Sequence, residues 1–505
     1  MKEFSAIEEE GERAVAEHLK AQGFFENEKE AIERERVLGI LNNLVSKFVY
    51  EIAQKENILL EKKNASKIFT FGSYRLGVHA SGADIDALCV VPNFVGRSEF
   101  FSKFYEDLSR EKCISGLTKV ANTFVPLIKF KIYSIPIDLV FARLDLPSIP
   151  QNIDLLDDKL LKHMDEKCIL SLNGNRVTDE VLKSVPNVET FHKALRFVKY
   201  WGQTRCVYGH SYGYFGGIAY AICVAKICQM YPSLGPFQTI AKFFHVFAKW
   251  PWPQPVIIKE VEDCNYNLKV WNPKANPAHK SDKMPVITPA YPSICSTHNI
   301  TLSTLTAIKR ELTRAVGIFE KIGKDEITVE NGIKTLCEPS DFFSRHKNYI
   351  AVAMAGDQSK EFHRFLGYAE SRMRMLALKI EALENVAYSY VFPKKYVLEE
   401  TTPKDNPILA KMKGKEGVYT FCVVFIGVEF SSAKLPIDTP RKMNLSRPVS
   451  EFKAMLEQYE QEEESEILYE VIPAKQKNAE EMLKVLSDKK RKRKTEEANE
   501  EVKKR

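Results

Sequence analysis

Two short runs, Phe71-Gly72-Ser73 and Asp84-Ile85-Asp86, constrain the fold of this chain more than any other part of it. Their pattern predicts a strand, a Gly-Ser turn with a short basic helix, and a second strand that opens with two carboxylates one residue apart. Because side chains alternate along a strand, Asp84 and Asp86 should share one face while Ile85 points into the core. Carboxylates this close repel each other unless a cation lies between them, and hard oxygen ligands suit Mg²⁺ or Mn²⁺.

A third carboxylate lies in a later apolar run. Residues 137–141 predict a strand that pairs, through a turn at Tyr133-Ser134, with residues 125–132. Asp138 is the only acid in this hairpin, and an ionised acid among apolar neighbours needs a partner or a metal. Three acids on neighbouring strands can hold two metal ions about 3.5–4 Å apart, which activates an attacking hydroxyl and stabilises a leaving phosphate.

The combination of motifs decides between two interpretations. A carboxylate pair on a strand is by itself typical of a solvated sheet edge or of a loop end. Here a Gly-Ser turn, whose backbone N–H groups can face a phosphate, lies upstream of the pair, and Asp138 lies downstream. Together these features indicate nucleotide chemistry at a divalent-metal site.

Longer runs around these residues resemble the eukaryotic nuclear poly(A) polymerases, a family within the DNA polymerase β-like nucleotidyltransferase superfamily. The Gly-Ser turn and the paired acids are shared by the whole superfamily, whereas the runs with Gly77-Val78-His79 and Ile287-Thr288-Pro289-Ala290-Tyr291-Pro292 are specific to this family. The resemblance covers residues 1–470 and is carried by the runs 71–79, 82–89, 124–126, 137–144, 171–174, 178–180, 213–217, 250–253 and 284–292.

The resemblance implies a multidomain architecture of α/β, α and α/β parts. The parts are a polymerase β-like nucleotidyltransferase catalytic domain, a helical middle domain and an RRM-like C-terminal RNA-binding domain. An N-terminal helix is expected to pack on the middle domain, and a densely charged tail is expected to be mobile. The expected boundaries are 1–20 for the N-terminal helix, 21–185 for the catalytic domain, 186–335 for the middle domain, 336–470 for the RNA-binding domain and 471–505 for the tail.

The same resemblance implies a template-independent enzyme that adds AMP from ATP to the 3′-hydroxyl of RNA and releases pyrophosphate, using two Mg²⁺ or Mn²⁺ ions. Asp84 and Asp86 would hold both ions, and Asp138 would hold the one nearer the RNA primer. Asp138 would then help to deprotonate the RNA hydroxyl. The residues expected to contact ATP are Phe71, Gly72, Ser73, Lys199, Tyr208, Gly217 and Ile218.

Two positions depart from the family pattern. The residue two after Tyr208 is usually asparagine and is His210 here, and histidine is bulkier and titrates near neutrality. Ala80-Ser81 stands where the family usually carries Thr-Lys, so one positive charge near the triphosphate is lost. The contact of His210 with the base or ribose, the base choice and the affinity for ATP are therefore left open.

Other functions also fit parts of the sequence. A terminal nucleotidyltransferase with another base choice, such as a uridylyltransferase, would use the same acids and could accommodate His210. A catalytically inactive RNA-binding scaffold would need none of the three acids. An enzyme that modifies small antibiotics could share the site, but it would not need the large C-terminal part of this chain.

Composition favours an intracellular nucleic-acid enzyme. A net charge of +6 over 505 residues is mildly basic, so any basic groove must be local. The ten cysteines are scattered without a CxxC pair, which predicts reduced thiols rather than a disulfide framework or a zinc site. The N-terminus predicts no signal peptide, and no apolar run is long enough to span a membrane.

Charged runs near the C-terminus predict the cellular setting. A basic run typical of a nuclear-import signal is Lys489-Lys490-Arg491-Lys492-Arg493-Lys494. Such a run can also bind phosphates nonspecifically or only increase solubility. Together with this run, the resemblance to the poly(A) polymerases implies a nuclear monomer whose partners are ATP, the 3′ end of pre-mRNA, and cleavage and polyadenylation factors. The acidic run Glu462-Glu463-Glu464-Ser465-Glu466 could bind a basic partner or be inert.

Overall fold

The computed structural model describes residues 2–121, 123–412, 416–431, 443–461 and 465–484, without side chains for residues 2–5. The chain divides into two compact units. The first consists of Met1–Trp201, Gly217–His298 and Thr313–Leu336, and the second of Gly202–Gly216, Asn299–Leu312 and the described residues from Cys337 onward. Most of the expected middle domain thus belongs to the first unit, while two of its segments belong to the second.

The first part of the chain surrounds one five-stranded sheet with helices. Its elements are α1 Lys2–Ala21, α2 Glu28–Lys55, β1 Lys67–Phe71, α3 Gly72–Arg75, β2 Ile85–Val91, α4 Arg97–Glu99, α5 Tyr105–Arg110, β3 Ile114–Val120, β4 Leu127–Ile132, β5 Ile135–Arg143 and α6 Glu166–Ser184.

The strand order of this sheet is β1-β2-β5-β4-β3. The strands β2 and β5 run parallel, and every other neighbouring pair in the sheet is antiparallel. The predicted hairpin of β4 and β5, with its turn at Tyr133-Ser134, is confirmed. Since β2 and β5 lie at the centre of the sheet, their long apolar stretches are buried, as expected for strands covered on both faces.

Helix α2 packs one face against the core of this sheet. Asn27 caps its first turn through a capping box with Glu30, which satisfies backbone N–H groups that have no partner within the helix. The apolar residues at helical spacing, among them Val37, Leu41 and Phe48, are buried in the core beneath the sheet. Burial of each such side chain stabilises the fold by about 1.5–3 kcal/mol.

A helical region follows in the chain. Its elements are α7 Val188–Thr204, α8 Gly217–Met230, α9 Pro236–Lys249, α10 Pro277–Lys280, α11 Leu302–Gly323 and α12 Val329–Leu336. Helix α8 is buried on most of its surface from Ala219 onward, which accounts for its almost wholly apolar composition. Its first residues, Gly217 and Ile218, are only partly buried.

The N-terminal helix α1 lies against α9 and α12 of the helical region. The carboxylate of Glu8 accepts hydrogen bonds from the backbone N–H groups of Phe237 (2.8 Å) and Gln238 (2.9 Å), at the first turn of α9. Helix α9 has no capping side chain of its own at Gly235, so Glu8 of α1 supplies the acceptor.

The second unit contains a second five-stranded sheet. Its further elements are α13 Phe342–Arg345, β6 Asn348–Gly356, α14 Lys360–Glu370, α15 Met373–Glu381, β7 Val386–Val391, β8 Tyr396–Thr401, α16 Pro407–Lys411, β9 Tyr419–Phe430, α17 Ser446–Glu457 and β10 Ile467–Lys475. The order is β10-β6-β9-β7, β8 also pairs with β9, and every pairing is antiparallel.

A buried ion pair joins the separated segments of the second unit. The Arg205 guanidinium donates to both carboxylate oxygens of Glu311, at 2.7 and 3.1 Å. It also donates to the backbone carbonyls of Glu338 (2.7 Å) and Pro339 (2.8 Å). Because the planar guanidinium of arginine can donate to several acceptors at once, this one side chain joins three stretches of the chain.

Strand β10 crosses the position at which the C-terminal domain was expected to end. It runs past residue 470, where the charged tail was expected to begin, because Val471 and Ala474 are buried where β10 pairs with β6. The residues that follow it, up to 484, are mostly helical. The acidic residues 462–464 and the basic run 489–494 lie outside the described residues.

The thiols and the helices agree with the composition. All ten cysteines are free, as their scatter predicted. Within the described ranges of the chain, no helix combines the length and the apolar character needed to cross a bilayer.

The substitution Glu8→Ala should lower the free energy of unfolding by about 1–2 kcal/mol, because two N–H groups at the start of α9 lose their acceptor. The measurement is denaturant unfolding of the full chain. Glu10→Ala is the control, since Glu10 is an exposed carboxylate on the same helix. Equal stability of the two variants would contradict the capping role of Glu8.

Candidate active site

A single row of side chains crosses the first sheet. Phe71 of β1 lies opposite Asp86 of β2, Asp86 opposite Asp138 of β5, Asp138 opposite Lys129 of β4, and Lys129 opposite Thr118 of β3. Directly paired residues on neighbouring strands project from the same face of a sheet. The register therefore places two carboxylates and one lysine side by side on one face.

The third carboxylate joins them from the residue before β2. Oxygen atoms of Asp84, Asp86 and Asp138 all lie within 4.8 Å of one another. Asp84 is exposed and the other two are partly buried. Three carboxylates that converge in this way offer a set of hard oxygen donors, so the group fits a divalent cation such as Mg²⁺ or Mn²⁺.

The electrostatics of Asp86 show the repulsion within this group. Burial, as the largest cause, and the neighbouring charges of Asp84 and Asp138 together raise the pKa of the Asp86 carboxyl to about 7, although Lys129 and Lys199 act to lower it. In the protein without a cation, Asp86 is thus partly protonated near neutral pH. A bound cation would displace that proton and relieve the repulsion.

Lys129 is a site residue that the sequence analysis missed. Its ammonium group forms an ion pair with the Asp138 carboxylate, and about half of the lysine side chain (49%) is exposed against 18% for Asp138. The signal was available in the sequence, because a two-residue turn at Tyr133-Ser134 fixes the register that pairs Lys129 with Asp138. In this arrangement Lys129 places a positive charge directly beside the Asp138 carboxylate.

Gly72 lies where only glycine fits. Its φ of +62° is in the left-handed region, and a Cβ atom there would lie 2.2 Å from Oδ2 of Asp86. Its neighbour Phe71 packs on α6, where a Cβ at Gly174 would lie 2.7 Å from the phenyl ring. Helix α3 therefore approaches the acids closely, and Ser73 follows in its first turn.

Lys199 lies on α7, in the same unit as the acids. Its side chain is largely buried, and burial lowers the pKa of its ammonium group, while the charges of Asp84 and Asp86 raise it. Helix α8, which begins at Gly217 with Ile218 next, contacts α3. The predicted residues Lys199, Gly217 and Ile218 thus belong to helices of the unit that holds the acids.

Tyr208 and His210 belong to the second unit, whereas the three acids belong to the first. Tyr208 forms an isolated bridge with Phe215. His210 opens a single 3₁₀ turn, and its carbonyl accepts a hydrogen bond of 2.6 Å from the Asn299 side chain, which also donates to Tyr214 (2.9 Å). This loop therefore has a defined shape within its own unit.

Ser81, at the other departure from the family pattern, faces the start of α2. Its hydroxyl donates to the Glu30 carboxylate, with distances of 3.0 and 3.1 Å to the two oxygens. Its backbone N–H donates to the carbonyl of Phe24 at 3.0 Å. A lysine at this position would have Glu30 as a neighbour, so part of its charge would be paired there.

The substitution Gly72→Ala should weaken metal binding and destabilise the protein, because its Cβ atom would displace the Asp86 carboxylate. The matched control is Gly116→Ala on β3, which has a similar φ of +64° but open space around the position. Both variants should lose about 1–2 kcal/mol of stability from backbone strain. Only Gly72→Ala should reduce the affinity for Mn²⁺, measured by electron paramagnetic resonance; equal affinities would refute the close approach.

The affinity for Mn²⁺ should depend on pH below about 7, where Asp86 in the metal-free protein carries a proton that the ion must displace. The dissociation constant should rise by up to tenfold for each pH unit below 7 and should level off above it. Titrations between pH 5.5 and 8.5 test this. If the affinity for Mn²⁺ stayed the same across that pH range, Asp86 would have to be ionised throughout.

Comparison with known proteins gives the same assignment over most of the chain. The profile described as the poly(A) polymerase nucleotidyltransferase domain matches residues 3–185, that of the poly(A) polymerase central domain matches 190–334, and that of the poly(A) polymerase predicted RNA binding domain matches 341–417. These three profiles follow one another in the order that the sequence resemblance implied.

Curated relatives agree with the profiles. The chain is 42% identical over 386 residues to the poly(A) polymerase PAPa of Candida albicans, an alignment that spans 76% of this chain and 69% of the relative. It is 42% identical over 383 residues to the poly(A) polymerase pla1 of Schizosaccharomyces pombe, spanning 75% and 67%.

Among solved structures, a cytoplasmic RNA terminal U-transferase matches with 13% identity and a TM-score of 0.46, over 66% of this chain and 99% of that one. A likeness at this level supports no statement about activity. The identity to the fungal enzymes and the three consecutive profiles are decisive, and together they show that the chain belongs to the poly(A) polymerase family.

Proposed function

We propose that the chain is a template-independent RNA adenylyltransferase that transfers AMP from ATP to the 3′-hydroxyl of RNA and releases pyrophosphate. The observation that carries this proposal is the convergence of Asp84, Asp86 and Asp138, with the backbone of Gly72 close beside the Asp86 carboxylate. Membership of the poly(A) polymerase family supports ATP as the nucleotide and RNA as the acceptor.

In the proposed reaction, the oxygen of the RNA 3′-hydroxyl forms a bond to the α-phosphorus of ATP. The bond between that phosphorus and the bridging oxygen of the β-phosphate breaks, and pyrophosphate leaves. The hydroxyl proton passes to the Asp138 carboxylate, which is partly exposed and can return it to solvent. When bound, two Mg²⁺ or Mn²⁺ ions lower the pKa of the attacking hydroxyl and neutralise the leaving phosphate.

The acids would divide the binding of these ions. Asp84 and Asp86 would hold both ions, and Asp138 would hold the one nearer the RNA primer. Lys129 supports this role for Asp138, since the ion pair holds the Asp138 carboxylate in place on the sheet. Since three negative charges converge, the site also favours cations over other ligands.

The triphosphate would lie against α3, α7 and α8. The backbone N–H groups of Gly72 and Ser73 would donate to its oxygens, with Phe71 beside them, and Lys199 would supply a positive charge. Gly217 and Ile218 lie at the first turn of α8, a helix of 14 residues whose amino-terminal end carries a partial positive charge. These groups would orient the α-phosphate for in-line attack.

The base would be recognised by Tyr208 and His210. Tyr208 would stack on the adenine or border it, and His210 would donate one hydrogen bond to base or ribose through a ring nitrogen. The chain carries histidine where the family usually has asparagine, and this is the position at which base choice is to be tested.

The cellular setting is part of the same proposal. The residues matched by the predicted RNA binding domain would hold the RNA, and cleavage and polyadenylation factors would deliver pre-mRNA to the enzyme. The basic run 489–494 would direct the chain to the nucleus.

Extension of a short labelled RNA with each of the four nucleotides tests the proposal. The wild-type protein should add a tail with ATP in preference to UTP, CTP and GTP. Asp138→Asn should reduce the rate by about 10²–10⁴-fold, because it removes a metal ligand and proton acceptor. Asp145→Asn is the control, since Asp145 is an exposed acid of the same domain whose contact is a 3.5 Å hydrogen bond from Asn93.

Other outcomes would change the assignment. Tailing with UTP, or with all four nucleotides, would show that His210 alters base choice and would make the chain a terminal nucleotidyltransferase of different specificity. A wild-type protein that extends no RNA with either Mg²⁺ or Mn²⁺ would contradict the proposal and favour an RNA-binding scaffold.

A further inference from the structure

Asp84 is the one acid of the site that strand pairing does not hold. The pairing of β1 with β2 ends at Asp86, and the pairing of β2 with β5 begins at Ile85. Asp86 and Asp138 are therefore fixed by hydrogen bonds of the sheet, whereas Asp84 lies in the loop just before it. A metal ligand in a loop needs some other group to fix its backbone.

Arg34 of α2 is that group. Its side chain is 1% exposed, and its Nη2 donates to the carbonyl oxygen of Ala83 at 2.6 Å. This carbonyl belongs to the peptide plane that links Ala83 to Asp84, so the hydrogen bond fixes the orientation of the residue that carries the first carboxylate. Arg34 itself lies outside hydrogen-bond contact with the acids and acts through the backbone.

The charge of Arg34 is balanced within the same cluster. Its Nε donates to one oxygen of Glu26 at 3.0 Å, and the other oxygen of Glu26 lies 2.7 Å from Nε2 of His79. The Tyr74 ring lies 5.1 Å from the His79 ring and 6.0 Å from the guanidinium. A buried arginine held on two sides is rigid, because losing either acceptor would leave a buried charge or donor unpaired.

The loop between His79 and Asp84 rests on the same N-terminal segment. Ser81 forms hydrogen bonds with the Phe24 carbonyl and the Glu30 carboxylate. The backbone N–H of Ala83 donates to the carbonyl of Ala80 at 3.1 Å, which closes a turn. The chain turns sharply at Gly82, with a φ of +71°. The stretch from residue 24 to residue 34 thus supports the loop on the side that the sheet leaves open.

We propose that Arg34, supported by Glu26 and His79, is a positioning residue that places Asp84 for metal binding. The inference rests on the proposed metal-dependent function of the site. Arginine is required because its planar guanidinium donates to Glu26 through Nε and to Ala83 through Nη2 at the same time. The single ammonium group of lysine cannot do this. Loss of such an outer partner of a ligand typically weakens metal binding or activity by about 10–100-fold.

The test compares Arg34→Lys with Arg176→Lys in the full chain. Arg176 of α6 is the matched control because it is also 1% exposed, pairs with Asp158, and donates to the carbonyls of Leu155 and Tyr291. Both variants should unfold at a lower temperature. Only Arg34→Lys should raise the dissociation constant of Mn²⁺, by about tenfold, and lower kcat with little change in the KM for ATP.

A merely structural role for Arg34 predicts another result. If both variants lose stability alike while the Mn²⁺ affinity and the kcat of the folded protein stay at the wild-type values, the inference is wrong. Should Arg34→Lys fail to fold, Glu26→Gln provides the second test, since it keeps the shape of the cluster and removes its negative charge. It should weaken Mn²⁺ binding by about 2–5-fold, and an unchanged affinity would overturn the inference.

The metal measurement separates this inference from the proposed function. A wild-type protein that binds Mn²⁺ but extends no RNA would contradict the adenylyltransferase proposal. Weaker Mn²⁺ binding by Arg34→Lys would still support the positioning of Asp84 in that case. RNA extension that is equal in wild type and Arg34→Lys, with equal Mn²⁺ affinity, would contradict the positioning alone.

Discussion

The parallel pairing of β2 with β5 is the constraint on which the rest of the site depends. It places Asp86 directly opposite Asp138, so two carboxylates share one face at the centre of a sheet. Asp84 then adds a third within 4.8 Å. Such a group is unfavourable by itself, because charges in a partly buried site repel each other strongly. The neighbouring groups either relieve that repulsion or hold the carboxylates in place against it.

Two lysines near the acids relieve part of the repulsion. Lys129 pairs with Asp138, and Lys199 lies close enough to Asp84 and Asp86 for their charges to raise its pKa against the effect of burial. The pKa of Asp86 nevertheless stays near 7. An acid whose pKa is raised by folding lowers the stability of the metal-free protein as the pH rises from about 4 toward 7. The clustered acids thus destabilise the metal-free protein at the site where a cation would bind. A local loss of stability of this kind is common at functional sites.

Much of the fold and of this arrangement could be predicted from the sequence. The hairpin, the strand that carries Asp86, the amphipathic face of α2 and the apolar helix that opens on glycine all follow from local periodicity and turn residues. The pairing of β2 with β5 could not be derived from periodicity, because the strands are separated by two helices and two other strands. The sequence supported only the weaker expectation that the three acids lie on neighbouring strands.

Other features lay beyond the sequence for physical reasons. From the sequence, Arg34 looks like one more charged residue on the polar side of α2. Its role depends on a tertiary contact with Ala83, which local periodicity does not show. Strand β10 follows an acidic run in the sequence, and its polar and apolar residues alternate only weakly, so its pairing with β6 could not be predicted. The pairing of Lys129 with Asp138 could have been predicted by counting residues back from the turn on each strand. Its meaning depended on recognising that Asp138 faces the same side.

Anomalous diffraction from crystals grown with Mn²⁺ and a non-hydrolysable ATP analogue would locate the metal ions directly. We expect two ions about 3.5–4 Å apart, both bound by Asp84 and Asp86, with Asp138 binding one of them. A single ion bound away from Asp138, or ions bound elsewhere on the protein, would contradict this expectation.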